Sequence, residues 1–276
     1  MRYDILHCTS YVYASPVRDS FNDVRLHPVP NPDQTVESFI LKVLPAARLS
    51  HYVDFYRNWV HHFEIPESHK YLSIESRSRV TTHPPVPLSA TEAICPFDKL
   101  CEATNVERCF DYLQSSRYIE METEVWRLAV DATMDRKDVW LAVLGVMEFV
   151  HGYLKYESKS THVHTHMREV LKERRGVCQD FAHLMIGLCR SLKIPARYIS
   201  GYLATEDASA THAWVEAFVP GVGWRALDPT HNRQMDETYV KIGHGRDYAD
   251  VPPIAGNYRG TLERTMTVDV KITPVG

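Results

Sequence analysis

The chain has 276 residues, with 31 Lys+Arg against 35 Asp+Glu, a formal net charge of -4 and a pI near 6.4. That balance argues against a nucleic-acid binder, which needs a basic excess or stripe. A hydrophobic content of 44% and a charged content of 24% exclude wholesale disorder, and six cysteines are too sparse for a disulfide-stapled secreted scaffold.

The beginning of the chain carries no signal-peptide core, because Asp4 and His7 interrupt it. From there the region reads as β. Tyr3, Ile5, His7, Thr9, Tyr11 and Tyr13 alternate with a second set, the period of a strand with one buried face. Phe39, Leu41 and Val43 repeat the pattern, Val53 to Phe63 is an aromatic-rich strand candidate, and Leu72 to Val80 follows. Short strands joined by Pro- and Asn-containing turns predict a small β-sandwich over residues 1–82. Pro84, Pro85, Pro87 and Pro96 then stiffen the stretch from Thr82 to Pro96, which marks a boundary before a core over 83–276.

Helical periodicity begins after that stretch. Val139, Ala142, Val143, Val146, Phe149, Val150 and Tyr153 form one face, with Asp135 as the expected N-cap. The longest apolar run, Val139 to Met147, lies inside this helix and is far short of the roughly 20 residues that span a bilayer. A second helix follows the Arg174-Arg175-Gly176 break, with Cys178, Phe181, Ala182, Met185, Cys189 and Leu192 as its stripe and Pro195 at its end. Strands are expected at Arg197–Leu203, His212–Val219 and Trp224–Asp228, and an alternating tail from Leu262 to Ile272 should close the core sheet.

One constellation carries chemistry. A cysteine nucleophile needs thiolate character, a base for its proton and a group that orients the base. Cys178 stands at a predicted helix start, where free N–H groups and the helix dipole favour an anion. His212 and Asp228 flank a turn at Pro220-Gly221. A three-residue connection, Val219-Pro220-Gly221, would set His212 opposite Asp228 on one face. A two-residue turn would put them on opposite faces. The expected site is therefore Cys178 as nucleophile, His212 as base and Asp228 as orienter, with the Cys178 N–H as one oxyanion donor. A second donor is not evident, and Tyr156 is a candidate.

The runs from Gly176 to His183, Pro195 to Tyr202, His212 to Glu216 and Trp224 to Thr230 resemble the bacterial transglutaminase-like cysteine peptidase family. The resemblance extends to Gly245–Pro253 and to the N-terminal region with His7, Thr9 and Tyr11, so it spans nearly the whole chain. It implies an α+β fold, with a papain-like, transglutaminase-like core behind the N-terminal β domain, and it supports the same three site residues. Animal cross-linking enzymes carry Trp directly after the nucleophile, where Gln179 stands here, which weakens a specific expectation of protein cross-linking.

The expected function is a thiol-dependent amide hydrolase acting on a peptide or protein amide through an acyl-enzyme. The alternatives are an acyltransferase, either a transglutaminase or an arylamine acetyltransferase type, and a non-catalytic binding module. No cofactor, no metal, no nucleic-acid partner and no membrane partner are expected, and the location expected is cytoplasmic. His162, His164 and His166 alternate and could present three imidazoles to a metal, although a polar loop before a helix reads more simply as solvated. His183 should face away from Cys178 as a buried hydrogen-bonding residue. Arg246, Asp247 and Tyr248 are placed either at the rim of the substrate groove or in a packing loop. Cys95, Cys101 and Cys109 lack paired metal spacing.

Overall fold

A computed structural model describes residues 1–100, 109–134, 136–205 and 210–276. Five strands open the chain: β1 (Arg2–Val24), β2 (Gln34–Leu44), β3 (Ser50–Val53), β4 (Trp59–Ile65) and β5 (His69–Thr82). Helices α1 (Thr123–Thr133), α2 (Val139–Tyr153), α3 (Met167–Glu173) and α4 (Cys178–Ser191) follow, with a short parallel pair, β6 (Lys155–Tyr156) and β7 (Arg175–Gly176), set among them. Then come β8 (Ala196–Leu203), β9 (His212–Val219), β10 (Gly223–Asp228), β11 (Arg233–Gln234) and β12 (Tyr239–Gly245). The last two strands are β13 (Ile254–Arg259) and β14 (Arg264–Pro274).

The N-terminal strands form the expected β domain as a sheet that curls over on itself. The cause is β1, 23 residues long. Over its first half it pairs with β5 and β14, and over its second half with β4 and β13. An irregularity between Val12 and Val17 separates the two halves, and such bulges bend and twist a strand. The sheet thereby curls around one core, in which Tyr3, Ile5 and Tyr11 of β1 meet Phe63 of β4 and Ile74 of β5.

Two further expectations change. The candidate strand Val53–Phe63 divides into β3 and β4, because the Asp54 carboxylate accepts the N–H groups of Tyr56 and Asn58 and folds the chain into a turn. The closing strand exists, but β14 pairs with Tyr3–Tyr13 of β1 in the N-terminal sheet, not with the core sheet. Its inward residues Val270 and Ile272 join the apolar cluster of that sheet.

The core sheet is antiparallel, in the order β11-β10-β9-β8-β12, and α4 packs on β9 and β8 with α1 and α2 behind it. Phe181, Met185 and Cys189 of α4 and Val143 and Val146 of α2 are fully buried there with Val215 and Ala217 of β9. The expected cap, Asp135, lies outside the described residues. Asp138 caps α2, accepting from the N–H groups of Trp140 and Leu141, while its other oxygen takes Ile94 and Cys95 of the linker at 2.7 and 2.6 Å.

Side-chain amides join the two sheets. Gln34 gives its amide N–H to the Lys241 carbonyl and accepts the Lys241 N–H, both at 2.8 Å. Asn58 makes the same pair of bonds with His244, again at 2.8 Å. Each amide acts as one extra residue of strand along β12. His7 adds a bond to the Tyr202 hydroxyl at 3.0 Å.

Candidate active site

Cys178 is the first residue of α4, so its N–H is among the helix donors without an intrahelical partner. The helix start is held by Asp180, whose buried carboxylate reaches back to the Val177 N–H at 2.8 Å and accepts the Thr161 hydroxyl at 2.6 Å. Gly176 makes room for this. A Cβ at that position would stand 2.6 Å from the Asp180 carboxylate oxygen. Gln179 donates to the Val163 carbonyl at 3.1 Å, so this residue fastens the histidine-containing loop over the helix start.

The β9–β10 register sets His212 and Asp228 on one face. Val219 pairs with Gly223 and Phe218 with Trp224, so the three-residue connection is Pro220-Gly221-Val222. This is shifted by one position at each end from the expected loop, and Leu227 pairs with Val215. A shift of two in the pairing sum preserves the face and makes His212 a diagonal neighbour of Asp228. The imidazole Nε2 lies 2.8 Å from Asp228 Oδ2.

Asp228 is fully buried and heavily bonded. Its Oδ1 accepts the Thr230 and His231 N–H groups at 2.9 and 3.3 Å. Its Oδ2 also takes the His231 Nδ1 and the Tyr239 hydroxyl, each at 2.7 Å, and Arg233 in turn donates to that hydroxyl at 2.8 Å. Burial disfavours the Asp228 charge, but the bonds from His212 and His231 outweigh it and hold the carboxyl well below its ordinary range. For His212, burial favours the neutral ring. Hydrogen bonds to Asp228 and Cys178 reverse this and push it up to about 10. With Nε2 given to Asp228, the nitrogen left for Cys178 is Nδ1.

Neither His231 nor Tyr239 is singled out by the sequence. His231 is an exposed turn residue three positions after Asp228, and Tyr239 arrives on β12. Among the described residues, His212, Asp228 and His231 are the group of possible metal donors close together, within 4.8 Å of one another. Their mutual hydrogen bonds on Oδ2 already satisfy them. The three alternating histidines are dispersed instead. The rings of His162 and His164 are 6.2 Å apart, His164 Nδ1 meets the Tyr118 hydroxyl at 3.1 Å, and His166 packs on the Tyr118 ring.

Other predicted residues serve packing. His183 is buried, accepts the Tyr248 N–H at 3.2 Å and stacks on Tyr118. Burial pushes its ring down to about 4, which keeps it a neutral acceptor. The Arg246–Tyr248 segment is a strut. Arg246 pairs with Asp250, Asp247 accepts the Tyr118 N–H at 2.8 Å, and Arg190 of α4 donates to the Arg246 carbonyl at 2.6 Å. Tyr156 is half exposed and packs near Phe181. Cys101 lies outside the described residues; Cys8, Cys95, Cys109, Cys178 and Cys189 are free thiols. Beside the site, Glu216 accepts from Arg197 at 2.6 Å and from Lys241 at 2.8 Å, a buried ionic cluster on β8, β9 and β12.

Residues 127–229 match the Transglutaminase-like superfamily, and residues 3–81 match the Bacterial transglutaminase-like N-terminal region. An uncharacterized protein of Mycobacterium leprae is 34% identical over 280 residues, covering 99% of this chain and 98% of its own. The chain belongs to the transglutaminase-like superfamily. A crystal structure of a candidate cysteine protease from Cytophaga hutchinsonii superposes with a TM-score of 0.79 at 26% identity, over 100% of this chain and 92% of the other. A protein-glutamine gamma-glutamyltransferase of Pseudomonas aeruginosa is 31% identical over 102 residues, which is 32% of this chain and 15% of that enzyme. The α+β architecture, with helices on antiparallel sheets and a curled N-terminal sheet, is that of the transglutaminase-like superfamily. The superfamily match includes Cys178, His212 and Asp228, whereas His231, Arg233 and Tyr239 lie beyond it. Among the described residues no helix is long and apolar enough to cross a membrane.

Proposed function

We propose that this chain is a thiol-dependent amide-bond hydrolase, a cysteine peptidase or amidase, with Cys178 as nucleophile, His212 as acid and base, and Asp228 as orienter. The observation that carries the reading is the double engagement of His212. One ring nitrogen is bonded at 2.8 Å to a buried carboxylate, and the ring stands near enough to Cys178, at a helix start, for its proton affinity to be raised by it. The raised imidazole favours a ring that carries its proton, ready to pass to the leaving group.

The Cys178 thiolate attacks the amide carbonyl carbon, and the carbonyl oxygen takes the negative charge, with the Cys178 N–H as one donor to it. His212 Nδ1 gives its proton to the leaving nitrogen as the C–N bond breaks. Water then attacks the thioester, His212 takes the water's proton, and the thiolate departs. Throughout, Asp228 stabilises the imidazolium and fixes its tautomer without being protonated.

A glutamine-containing peptide incubated with and without excess primary amine tests this reading. Ammonia or peptide-bond release without amine incorporation is the expected result, and Cys178→Ala should abolish it while keeping the wild-type circular dichroism. An amine adduct would instead support the transferase reading, favoured by the local likeness to the gamma-glutamyltransferase. If no product forms and iodoacetamide labels Cys178 no faster than the other cysteines, the chain is a binding module. The substrate is expected to be a peptide or protein amide.

A further inference from the structure

The strand β14 leaves one long edge of the N-terminal sheet without a neighbour. Among the described residues it pairs with β1 alone, in an unbroken register from Tyr3↔Pro274 to Tyr13↔Arg264. The backbone groups on its far side therefore face outward over 11 residues. Val268 and Met266 share a face with the buried residues of β1, yet they are 39% and 55% exposed. Asp269 and Lys271 lie on the opposite face, and both are exposed. A long, regular, β-branched edge with apolar residues at its rim is a template for another strand.

We propose that β14 pairs with β14 of a second copy of this chain, antiparallel about a two-fold axis through Val270, so that two N-terminal sheets become one. Charge selects both the partner and the register. Directly opposite side chains share a face, so a two-fold pair with continuous faces must centre on a residue. Centring on Asp269 or on Lys271 sets like charges opposite. Centring on Val268 sets Asp269 against a threonine. Centring on Val270 sets Asp269 opposite Lys271 of the partner subunit, and symmetry makes the pair twice. On the other face the same register sets Val268 opposite Ile272 of the partner subunit, which covers apolar surface that a single chain leaves open.

Sedimentation of the full chain over a range of concentrations tests the proposal. The wild-type protein should dimerise reversibly. Asp269→Lys alone, or Lys271→Asp alone, should weaken the dimer by about tenfold or more, because each creates two like-charge pairs. The double change Asp269→Lys with Lys271→Asp restores opposite charges and should return the dissociation constant to within about threefold of wild type. Circular dichroism of each variant verifies the fold, which these exposed positions should leave intact. A wild-type chain that stays monomeric overturns the proposal. So does a dimer that ignores the single changes, or one that the double change fails to rescue.

Discussion

Five hydrogen bonds converge on the Asp228 carboxylate, from two backbone N–H groups, two imidazoles and a phenol. Such saturation keeps a buried carboxylate ionised and rigid, which is what an orienter of His212 requires. Asp228→Asn should therefore retain the fold and lower kcat/KM by about ten-thousandfold, since an amide can present a donor where the imidazole needs an acceptor. Comparison of kcat/KM with the rate of Cys178 alkylation checks whether the loss lies in the imidazole. The same pair sets a pH dependence of stability. His212 is raised from its ordinary value near 6.5 to about 10, so its contribution is complete below about pH 6.5 and is lost as pH rises toward 10. Asp228 is depressed, so its contribution is present above about pH 4 and is lost as pH falls through its lowered value. Melting temperatures across this range should decline on the alkaline side, and His212→Ala should flatten that decline. At this scale the three residue types and their shared face are legible, because strand parity survives a register error of two. His231 and Tyr239 are not legible. Their roles depend on how the chain turns after Asp228, which no residue periodicity encodes.

The helix that begins at Cys178 depends on a local fit as much as on its apolar stripe. Asp180 can return to the Val177 N–H only while residue 176 lacks a Cβ. Gly176→Ala should break that cap and shift the helix start, costing about 1–2 kcal/mol in urea unfolding and slowing alkylation of Cys178. An unchanged alkylation rate would separate the cap from the environment of the Cys178 sulfur. The two long helices are readable from the sequence because each presents a long periodic face, although α2 is capped by Asp138 and not by the expected Asp135. Helix α1 buries only Val125, Ala129 and Thr133 and exposes Trp126, so its pattern is weak. Strand β12 is hidden for another reason. Gly243 and Gly245 dilute its alternation, and its position is set from outside by β8 and by the amides of Gln34 and Asn58. A Cβ at Gly243 would stand 2.6 Å from Val251, so packing, not strand propensity, selects that residue.

At the scale of the molecule, the N-terminal sheet is bound to the core through backbone groups of the strand that carries Tyr239. Gln34→Ala would leave the buried Lys241 N–H unpaired, and it should cost about 1–3 kcal/mol of unfolding free energy. Since Gln34 touches neither His212 nor Cys178, the alkylation rate of Cys178 should stay at the wild-type value, and stability and reactivity measured on one sample distinguish the two effects. Composition and strand alternation are enough to read a β-rich region ahead of an α+β core. The pairing of β14 with β1 is not readable, because it requires knowing that strands more than two hundred residues apart in sequence are neighbours. That long-range pairing also has a temporal side. During synthesis β1 emerges well before β14, the strand that covers its edge from Tyr3 to Tyr13. In the folded chain the tyrosines of β1 share their apolar cluster with Val270 and Ile272 of β14, which are made more than two hundred residues later. A strand edge that must wait for a partner made so much later is a template for wrong pairing, so the β1–β14 contact ties correct folding of the N-terminal sheet to synthesis of the core between them.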